Sequence, residues 1–587
     1  MGSKAFDIIV FGATGFTGRF IAKYIHKQNA DIKWAIAGRS QSKLSSLMTD
    51  LVHMQTPRNL PDVIIADATD SKSLADICGE ARIVLNCTGP YRFLGKEVVE
   101  ACLKAKCTYM DICGEPQFME QCFLDYHHKA LENNVLILHA CAFDSVPADL
   151  GTLFTMRQYD ELKCASIESF LTIDCPKGLK GHFTTYESAV HGMGDLKALQ
   201  QIRKEIKKKY NLPAIKHPGP KLLRLTTYKF EERVGKYVIP FMAADASVVR
   251  SSQRTIAMRS GQVQWPQYSA SVTLSDMYSV ATASFYGSVF TALSGTGWGR
   301  SLLLSYPETF SDGVFSKIGP TKEQLDNTSF QMHFFAKGYD SADHVIEKNL
   351  ENDERNKEEK EIVEGVEEKN AKKDKIILRG DPVLSRADVG CTQQLVKPCS
   401  VSRLWKNKKK KDNDERRREG EGEGGNERIV GNIEKERIIN KYVHVVVKGE
   451  EPGYVATPSI LYALAMCVLE ERDILPKGGV LTPSSAFFNS PTIFSRLSKV
   501  GIDFQVISSS EKNVHVLHKG NEVVKNEIND ETRNEIIGEG LIINDTNNNN
   551  NNNNNSKNNN GDEERILKSE ERDDKLDLGT LIESTNK

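Results

Sequence analysis

The clearest chemical motif in the sequence is a set of three glycines, Gly12, Gly15 and Gly18, spaced three residues apart. A glycine-rich turn between a strand and a helix can bind a dinucleotide, because the backbone approaches the pyrophosphate and the helix N-terminus favours an anion. The GxxGxxG spacing is a variant of the GxGxxG fingerprint that is common among NADP-using reductases. A plain glycine-rich turn is the alternative. The loop residues expected to bind the cofactor are Gly12, Ala13, Thr14, Gly15, Phe16, Thr17 and Gly18.

The end of the second predicted strand indicates which dinucleotide fits. An acidic residue there would bind the ribose 2′-hydroxyl of NAD, whereas an arginine accommodates the 2′-phosphate of NADP. The chain has Arg39 followed by Ser40, and a guanidinium and a hydroxyl can both bond to phosphate. The sequence therefore favours NADP(H). The alternative is a solvated arginine that begins the next helix.

Two further segments complete the expected cofactor site. Asp67 follows the third predicted strand, where it would contact the adenine or, alternatively, cap the helix beginning at Ser71. Asn86, Thr88 and Gly89 follow the fourth strand, at the carboxyl edge where open α/β sheets bind ligands. The small residues of this segment leave space for the nicotinamide ribose.

Six short β-rich runs supply the strands that must position these residues. They are residues 6–11, 33–37, 62–66, 82–87, 108–112 and 135–139. Helix-length segments separate them, and apolar strands alternating with helices are typical of a parallel sheet covered on both faces. The sequence therefore predicts an α/β fold, a Rossmann-type doubly wound parallel sheet, over residues 1–150.

The pattern changes after residue 150 and predicts a second, α+β domain over residues 151–340 and 441–510. A basic amphipathic helix is expected at 195–209, and alternating segments at 263–274 and 329–335 predict strands of an open, antiparallel sheet. Residues 341–440 form a charged insert and residues 511–587 an Asn-rich tail. Both are predicted to be disordered, because their apolar content is too low to offset chain entropy.

The charge balance argues against a nucleic-acid partner. The chain has 77 Lys and Arg against 79 Asp and Glu, for a net charge of -2. Acidic neighbours also neutralise the basic run at 406–411, which is interpreted as a solvated linker.

The cysteines and the amino-terminal segment favour an intracellular protein. None of the 12 cysteines lies in a CxxC or Cys/His ligand spacing, so we expect reduced thiols and no metal site. The first residues also lack the basic and apolar regions of a secretory signal.

Several motifs in one order resemble a known family. FGATGFTGRF, AGRS, LNCTGPY, YMDICGEP and AFDSVPADLG are followed by PFMAADAS, FSKIGP and GYVATP. Together they resemble the saccharopine dehydrogenase-like oxidoreductases, over about residues 5–340 and 442–510. The resemblance implies an NAD(P)-binding oxidoreductase rather than conversion of saccharopine itself. It also implies an association with lipid droplets, mitochondria or membranes, and with lipid or glycolipid reduction.

One segment departs from the family pattern. Thr184, Thr185 and Tyr186 stand where the family has Gly-Thr before an aromatic residue. If this stretch faces the nicotinamide, the shape of the pocket and the activity are affected.

The sequence assigns no catalytic residue. Ser145, Tyr159 and Lys163 imitate the triad of short-chain dehydrogenases, but a YxxxK pair is expected by chance in a chain with 17 tyrosines. The Tyr159 helix also follows the sixth strand and is expected to lead away from the cofactor.

Three acidic residues are better placed to donate a proton to a substrate, because they lie near the ends of the fifth and sixth strands: Asp111, Glu115 and Asp144. Asp144 is interpreted first as a helix N-cap, and Glu115, with Tyr91, as a residue that orients substrate or fixes loops. His182 and His191 flank the departing segment and are treated as surface or core residues.

Residues 280–306 are a candidate for contact with a membrane. This stretch has no acidic residue and only Arg300 as a charge, but it is rich in Ser, Thr and Gly. A spanning helix is therefore not expected. A shallow hairpin on a lipid surface and burial against the Rossmann domain are the two alternatives.

Three functions are compatible with these features. The first is an NADP(H)-dependent oxidoreductase acting on a small molecule that is apolar, such as a lipid. The second is a non-catalytic NADP-binding module on lipid droplets or membranes. The third, true saccharopine chemistry, would require a basic cluster for a tricarboxylate, which the sequence does not place.

Overall fold

The computed structural model describes residues 4–28, 30–54, 60–159, 163–339 and 439–511, together with the backbone of 345–346 and 436–437. The expected disorder of the insert and tail concerns residues that lie almost entirely outside these ranges.

Alternating side chains of the first strand are buried on opposite faces of a parallel sheet. Ile8 and Val10 belong to one apolar cluster, and Ile9 and Phe11 belong to another. Burial on both faces explains why the strand reads as a continuous apolar run. The strands of this sheet are β1 (Phe6–Phe11), β2 (Trp34–Gly38), β3 (Asp62–Ile65), β4 (Ala81–Asn86), β5 (Thr108–Asp111), β6 (Leu136–Leu138) and β17 (Gly479–Leu481).

The strand order is β17-β6-β5-β4-β1-β2-β3, and all these pairings are parallel. This confirms the doubly wound Rossmann sheet, with the order reversing between β1 and β4. The seventh strand, β17, comes from the segment 441–510, which the sequence assigns to the second domain. That segment therefore contributes to both sheets.

Helices cover both faces of the parallel sheet. Leu44 of α2 joins the cluster that contains Ile8, and Val98 of α4 joins the cluster that contains Ile9. The helices that alternate with these strands are α1 (Phe16–Gln28), α2 (Gln41–His53), α3 (Ser71–Glu80), α4 (Tyr91–Ala105), α5 (Pro116–Glu132) and α6 (Val146–Met156).

The second sheet is mixed, with the order β18-β16-β13-β7-β11-β10-β9. The predicted antiparallel pairing is found except between β7 and β11, which are parallel. Its strands are β7 (Cys164–Asp174), β9 (Lys229–Glu231), β10 (Lys236–Pro240), β11 (Gln267–Leu274), β13 (Ser329–Gly338), β16 (Lys441–Glu450) and β18 (Asp503–Glu511).

Two short strand pairs and ten further helices complete the described elements. The pairs are β8 (Gly181–His182) with β12 (Phe315–Ser316), and β14 (Val345–Ile346) with β15 (Glu436–Arg437). The helices are α7 (Phe183–Gly194), α8 (Leu196–Tyr210), α9 (Asp245–Ser260), α10 (Met277–Ser294), α11 (Gly297–Ser305), α12 (Pro307–Phe310), α13 (Lys322–Asp326), α14 (Thr457–Glu470), α15 (Pro483–Ala486) and α16 (Ile493–Lys499). A π-helical turn, Pro452–Ala456, leads into α14.

The cysteines of the described residues are free thiols, and most of them are buried. This agrees with the expectation of reduced thiols. The described residues also contain no group of three or more His, Cys, Asp or Glu side chains that could hold a metal ion.

Buried contacts of α6, both apolar and polar, join this helix to elements that are distant in sequence. Gly151 lies against the ring of Phe334 in β13, so closely that a Cβ on it would be 2.3 Å from the ring. Asp149 accepts hydrogen bonds from the hydroxyl of Ser252 in α9 (2.8 Å) and from the amide of Ser484 in α15 (2.7 Å). Burial raises the pKa of Asp149 to about 7.

We predict that Asp149 makes the stability of the protein depend on pH. A carboxyl whose pKa is higher in the folded state stabilises the fold below its unfolded pKa of about 4, and this stabilisation is lost as the pH rises towards about 7. Asp149→Asn keeps the acceptor oxygen but cannot ionise. The melting temperature of the wild type minus that of the variant should therefore decrease as the pH rises from about 4 to about 7 and stay constant above that range. An unchanged difference would contradict the prediction.

Candidate functional site

A cavity of about 1700 Å³ opens along the carboxyl edge of the parallel sheet. The loops that follow β1 to β6 all contribute to its wall, and α7, β10, α10 and the π-helical turn supply the other side. A pocket for one small molecule has a volume of about 300–1,000 Å³. The cavity therefore has space for a dinucleotide and a second molecule beside it.

The glycine loop has the geometry that a bound pyrophosphate requires. Gly12 has a φ of +79°, which residues with a side chain rarely adopt. A Cβ on Gly12 would lie 2.6 Å from Thr88 Cγ2, and a Cβ on Gly18 would lie 2.3 Å from the carbonyl oxygen of Gly12. Helix α1 begins at Phe16 and has no acidic residue in its first turn. Its N-terminus therefore favours an anion without a competing negative charge.

The predicted loop residues divide into two groups. Those that line the cavity are Gly12, Thr14, Gly15, Phe16 and Thr17. Ala13 and Gly18 are buried behind it. The ring of Phe16 also stacks on His182, with the centroids 4.2 Å apart, and meets Tyr454 edge-on at 4.9 Å. Phe16 thus connects the loop to the segments that form the opposite wall.

Arg39 lies exposed on the cavity wall directly after β2. Ser40 also lines the cavity and is the N-cap of α2, where its side chain accepts a hydrogen bond from the amide of Lys43. Lys43 is a second cation on this part of the wall. The predicted site residues do not include Lys43, although its place in the first turn of the helix after Arg39 indicates a second contact with the same phosphate.

Asp67 lines the cavity near Arg39 and is held by its own loop. Its carboxylate accepts hydrogen bonds from the amide and the hydroxyl of Thr69, both at 2.9 Å. These bonds, and to a smaller extent the charge of Arg39, hold its pKa below the ordinary value. The N-cap of α3 is Asp70. The alternative in which Asp67 caps this helix is therefore wrong.

The three predicted residues after β4 have different positions. Thr88 and Gly89 line the cavity. Asn86 is fully buried, donates to the hydroxyl of Tyr109 at 3.1 Å and accepts from the amide of Thr88 at 3.0 Å. Asn86 therefore holds the loop in place from beneath.

Comparison with known proteins identifies the family. A family model described as the saccharopine dehydrogenase NADP binding domain matches residues 8–138. The chain is 35% identical over 521 residues to the saccharopine dehydrogenase-like oxidoreductase of Mus musculus. The aligned region covers 86% of this chain and 99% of the mouse protein. The chain belongs to the saccharopine dehydrogenase-like oxidoreductases.

Two more distant members of this family have similar coverage. One is 28% identical over 533 residues (86% of this chain, 96% of the relative) and is named a probable mitochondrial saccharopine dehydrogenase-like oxidoreductase of Arabidopsis thaliana. The other is 27% identical over 516 residues (86% and 98%) and is named a lipid droplet localized protein of Caenorhabditis elegans.

The cofactor of this oxidoreductase is NADP(H). The glycine cradle and the two cations after β2 fit a dinucleotide with a 2′-phosphate. We expect the loop at residues 12–17 to hold the pyrophosphate, Arg39 and Lys43 to hold the 2′-phosphate, and Thr88 and Gly89 to lie beside the nicotinamide ribose.

Next to this position, Glu115 is the centre of a buried polar network. It is 1% exposed and accepts hydrogen bonds from the amide of Tyr91 (2.9 Å), from Nε of Arg92 (2.9 Å) and from the hydroxyl of Ser188 (3.1 Å). Arg92 also pairs with Asp195 through Nη1. Of the two interpretations of Glu115, these bonds favour a carboxylate that fixes loops.

One side-chain nitrogen of Arg92 forms no hydrogen bond with the described residues. This nitrogen, Nη2, is buried, while the side chain lines the cavity. An unsatisfied buried donor is costly unless a ligand satisfies it. Arg92 is therefore the donor in this wall best suited to a polar group of a substrate.

Asp111 lies beneath the cavity and is fully buried. It pairs with Nδ1 of His139 at 2.7 Å and accepts from the amides of Cys113 (3.1 Å) and Ala140 (3.0 Å). These bonds tie the loop after β5 to the loop after β6.

Asp144 lines the cavity, in the loop between β6 and α6. Its carboxyl accepts a hydrogen bond from the hydroxyl of Ser145 (2.8 Å) and lies beside the carboxyl of Asp245, the first residue of α9. The N-cap of α6 is Ser145. The interpretation of Asp144 as the N-cap is therefore wrong, and its carboxyl is oriented by other groups.

The residues that imitate the short-chain dehydrogenase triad are not brought together. Ser145 is buried beside Asp144, whereas the hydroxyl of Tyr159 bonds to the carbonyl of Lys441 at 3.3 Å, at the far end of α6. Lys163 precedes β7, and its carbonyl accepts from the amide of Tyr339. Neither Tyr159 nor Lys163 lines the cavity.

The segment that departs from the family pattern does face the cavity. Thr184 and Thr185 line it, and Tyr186 packs behind them against Phe290 and Phe315. The nearby His191 makes an edge contact with Phe93, with the centroids 5.3 Å apart.

We predict that Arg39→Ala weakens NADPH binding by about 10- to 100-fold and leaves NADH binding nearly unchanged, because a charge-assisted bond to phosphate is lost. Fluorescence titration of the purified protein with both dinucleotides measures this. Arg82→Ala is the matched control, since Arg82 pairs with Asp7 at the opposite edge of the sheet. An equal loss of affinity for NADPH and NADH would contradict the assignment of Arg39 to the 2′-phosphate.

Proposed function

We propose that this protein is an NADP(H)-dependent oxidoreductase that acts on an apolar, lipid-like substrate. The observation that carries the proposal is the continuity of the cavity. The glycine loop lines one end, and α7, β10 and α10 line the other end with side chains such as Met193, Phe241 and Phe290. A substrate in the second part would lie next to the nicotinamide.

The charges in the cavity favour an apolar substrate over a tricarboxylate. Away from Arg39 and Lys43, the described cations of its wall are Arg92, Lys180 and Arg203. Arg92 is paired with Glu115 and Asp195, and Arg203 forms a two-point pair with Glu120. Lys180 bonds to the carbonyl of Gly313. Of these three side chains, only Arg92 keeps a buried nitrogen without an acceptor among the described residues, and one such nitrogen does not match three carboxylates. Saccharopine chemistry is therefore the weakest of the three functions considered.

The rim of the cavity is apolar as well. Several large apolar side chains line the cavity and are also exposed: Leu179 (41%), Leu196 (47%), Tyr228 (48%) and Met242 (73%). Exposed apolar surface around a binding site costs solubility unless it meets an apolar partner. A lipid surface or an apolar substrate entering the cavity provides that partner.

Helix α10 links the cavity to a lipid surface in this proposal. One side of α10 lines the cavity through Ser284 and Gly287, whereas Tyr278 and Phe285 are 82% and 64% exposed. The helix packs on α7 and α11. Of the two alternatives for residues 280–306, a helical hairpin with an exposed apolar surface therefore describes the structure better than burial against the parallel sheet.

The hairpin carries almost no charge. Its one charged residue, Arg300, bonds through Nη1 to the carbonyl of Ser294 at 2.9 Å. Trp298 of α11 is 68% exposed, and aromatic residues are favoured at membrane interfaces. These features, and the name of the C. elegans relative, support a location on lipid droplets or another intracellular membrane surface.

One helix of the described residues is long and apolar enough to cross a membrane, Pro452–Glu470, and 72% of its apolar window is buried inside the protein. A helix buried to this extent belongs to the core. The proposed lipid contact is therefore a surface contact.

We predict that the protein oxidises NADPH in the presence of hexadecanal, a long-chain methyl ketone or a long-chain enal in mixed micelles. Loss of NADPH absorbance and mass spectrometry of the lipid product would measure the reaction. Binding of NADPH without consumption with any of these compounds would favour the non-catalytic module instead.

A flotation assay tests the lipid surface. The double variant Phe285→Glu, Trp298→Glu should float several-fold less with phospholipid-coated triacylglycerol droplets, because two exposed apolar anchors become charged. The control Ile474→Glu changes a side chain of similar exposure (51%) between α14 and β17 and should float like the wild type. Equal flotation of all three proteins would remove α10 and α11 from the lipid contact.

A further inference from the structure

Two carboxyl groups from distant parts of the chain meet at the cavity wall. Asp144 follows β6 of the parallel sheet, and Asp245 begins α9, about a hundred residues later. Each carboxyl is among the groups that shift the pKa of the other, so the two side chains lie close together. Two neighbouring carboxylates repel each other, so this arrangement favours a proton on at least one of them.

The two carboxyls have different access to the cavity. Asp245 is 3% exposed and does not line the cavity, whereas Asp144 does. The carboxyl of Asp144 also lies against the backbone of Gly114, where a Cβ would be 2.6 Å from Asp144 Oδ2. A glycine at this position leaves the space that the carboxyl occupies. Asp144 is therefore the member of the pair that can meet a substrate.

The groups around the pair keep its proton in place. Burial raises the pKa of both carboxyls, and the contact between them lowers the pKa of Asp144 but raises that of Asp245. Ser145 and Asp149 face the pair from α6, and Tyr268 faces Asp245 from β11. The pKa of Asp245 is raised further than that of Asp144, which favours Asp245 as the donor of the pair and Asp144 as the member that exchanges a proton with the cavity.

We propose that Asp144 is the catalytic acid of the reduction and that Asp245 is the positioning residue that stabilises the Asp144 carboxylate after proton transfer. This inference rests on the proposed oxidoreductase function. It gives a role to an acidic residue that no contact with a helix terminus explains.

The proton and electron balance is that of carbonyl reduction. When bound, NADPH would supply the hydride for the new C–H bond. As the C=O π bond breaks, its electron pair goes to oxygen, and the Asp144 carboxyl gives that oxygen its proton. The carboxylate that remains accepts hydrogen bonds from the Asp245 carboxyl and the Ser145 hydroxyl. A proton from solvent in the cavity restores the acid, and in the oxidation direction the same carboxylate is the base.

The first test separates chemistry from binding. Asp144→Asn should reduce kcat with hexadecanal by about 100-fold or more, a typical loss for a general acid, and should change the NADPH dissociation constant by less than about threefold. Glu471→Gln is the matched control, because Glu471 is a buried carboxyl that lies away from the pair and does not line the cavity. It should keep the turnover of the wild type. A variant at Asp144 that retains turnover within about fivefold would overturn the proposal.

The second test does not depend on turnover. Infrared difference spectra of the protein without substrate should show a protonated carboxyl band that disappears as the pH rises. Asp149, whose pKa burial raises to about 7, should give a second titrating band. Asp144→Asn should lose the first band and keep the second, whereas Asp149→Asn should lose the second and keep the first. If wild type and Asp144→Asn give the same titrating bands, Asp144 holds no exchangeable proton and the proposal fails.

The third test addresses Asp245. The kcat/KM for reduction should fall as the pH rises and Asp144 loses its proton. In Asp245→Asn, an amide replaces the stronger carboxyl donor, so the pKa of Asp144 rises. The decrease in kcat/KM should therefore occur at a higher pH in this variant. If the role of Asp245 were only structural, the variant would be less active, but its kcat/KM would decrease at the same pH as in the wild type. A wild-type protein that turns over no substrate would overturn the proposed function, whereas turnover that survives Asp144→Asn would overturn only this inference.

Discussion

The packing of the carboxyl edge of the parallel sheet determines most of the other features of this protein. Parallel strands end at one edge, so the polar loops after β1 to β6 all meet there. One face of this sheet and residues of the second sheet belong to the same apolar cluster, which includes Ile8, Leu150 and Phe334. Because that shared core holds the two sheets together, the elements connected to the second sheet lie across the loops and enclose the cavity.

The buried carboxyls follow from this arrangement. Asp111, Glu115, Asp149 and Asp245 are buried where segments from different parts of the chain meet, and Asp144 is half-buried beside Asp245. Asp111 and Glu115 have cationic or ring-nitrogen partners. Asp149 has neutral donors, and Asp144 and Asp245 have each other. The first two carboxylates fix loops, whereas burial without a cation raises the pKa of the other three.

The second half of the cavity has a different physical character from the cofactor half. The cofactor half offers backbone amides and cations, which suit phosphate groups. The other half is lined by α7 and α10, and α10 has exposed apolar side chains such as Phe285. This division fits the proposed function, in which the charged cofactor binds in one half and an apolar substrate enters the other.

The sequence by itself determined the local features. The glycine spacing, the six apolar runs and Arg39 predicted the parallel sheet and the kind of cofactor, because a strand–turn–helix unit depends on neighbouring residues. The tertiary structure decided what depends on distant segments. It placed β17 beside β6, brought Asp245 to Asp144, and turned the alternatives for residues 280–306 into an exposed hairpin. No local pattern encodes these contacts, since each joins residues that are separated by long stretches of chain and is stabilised by packing.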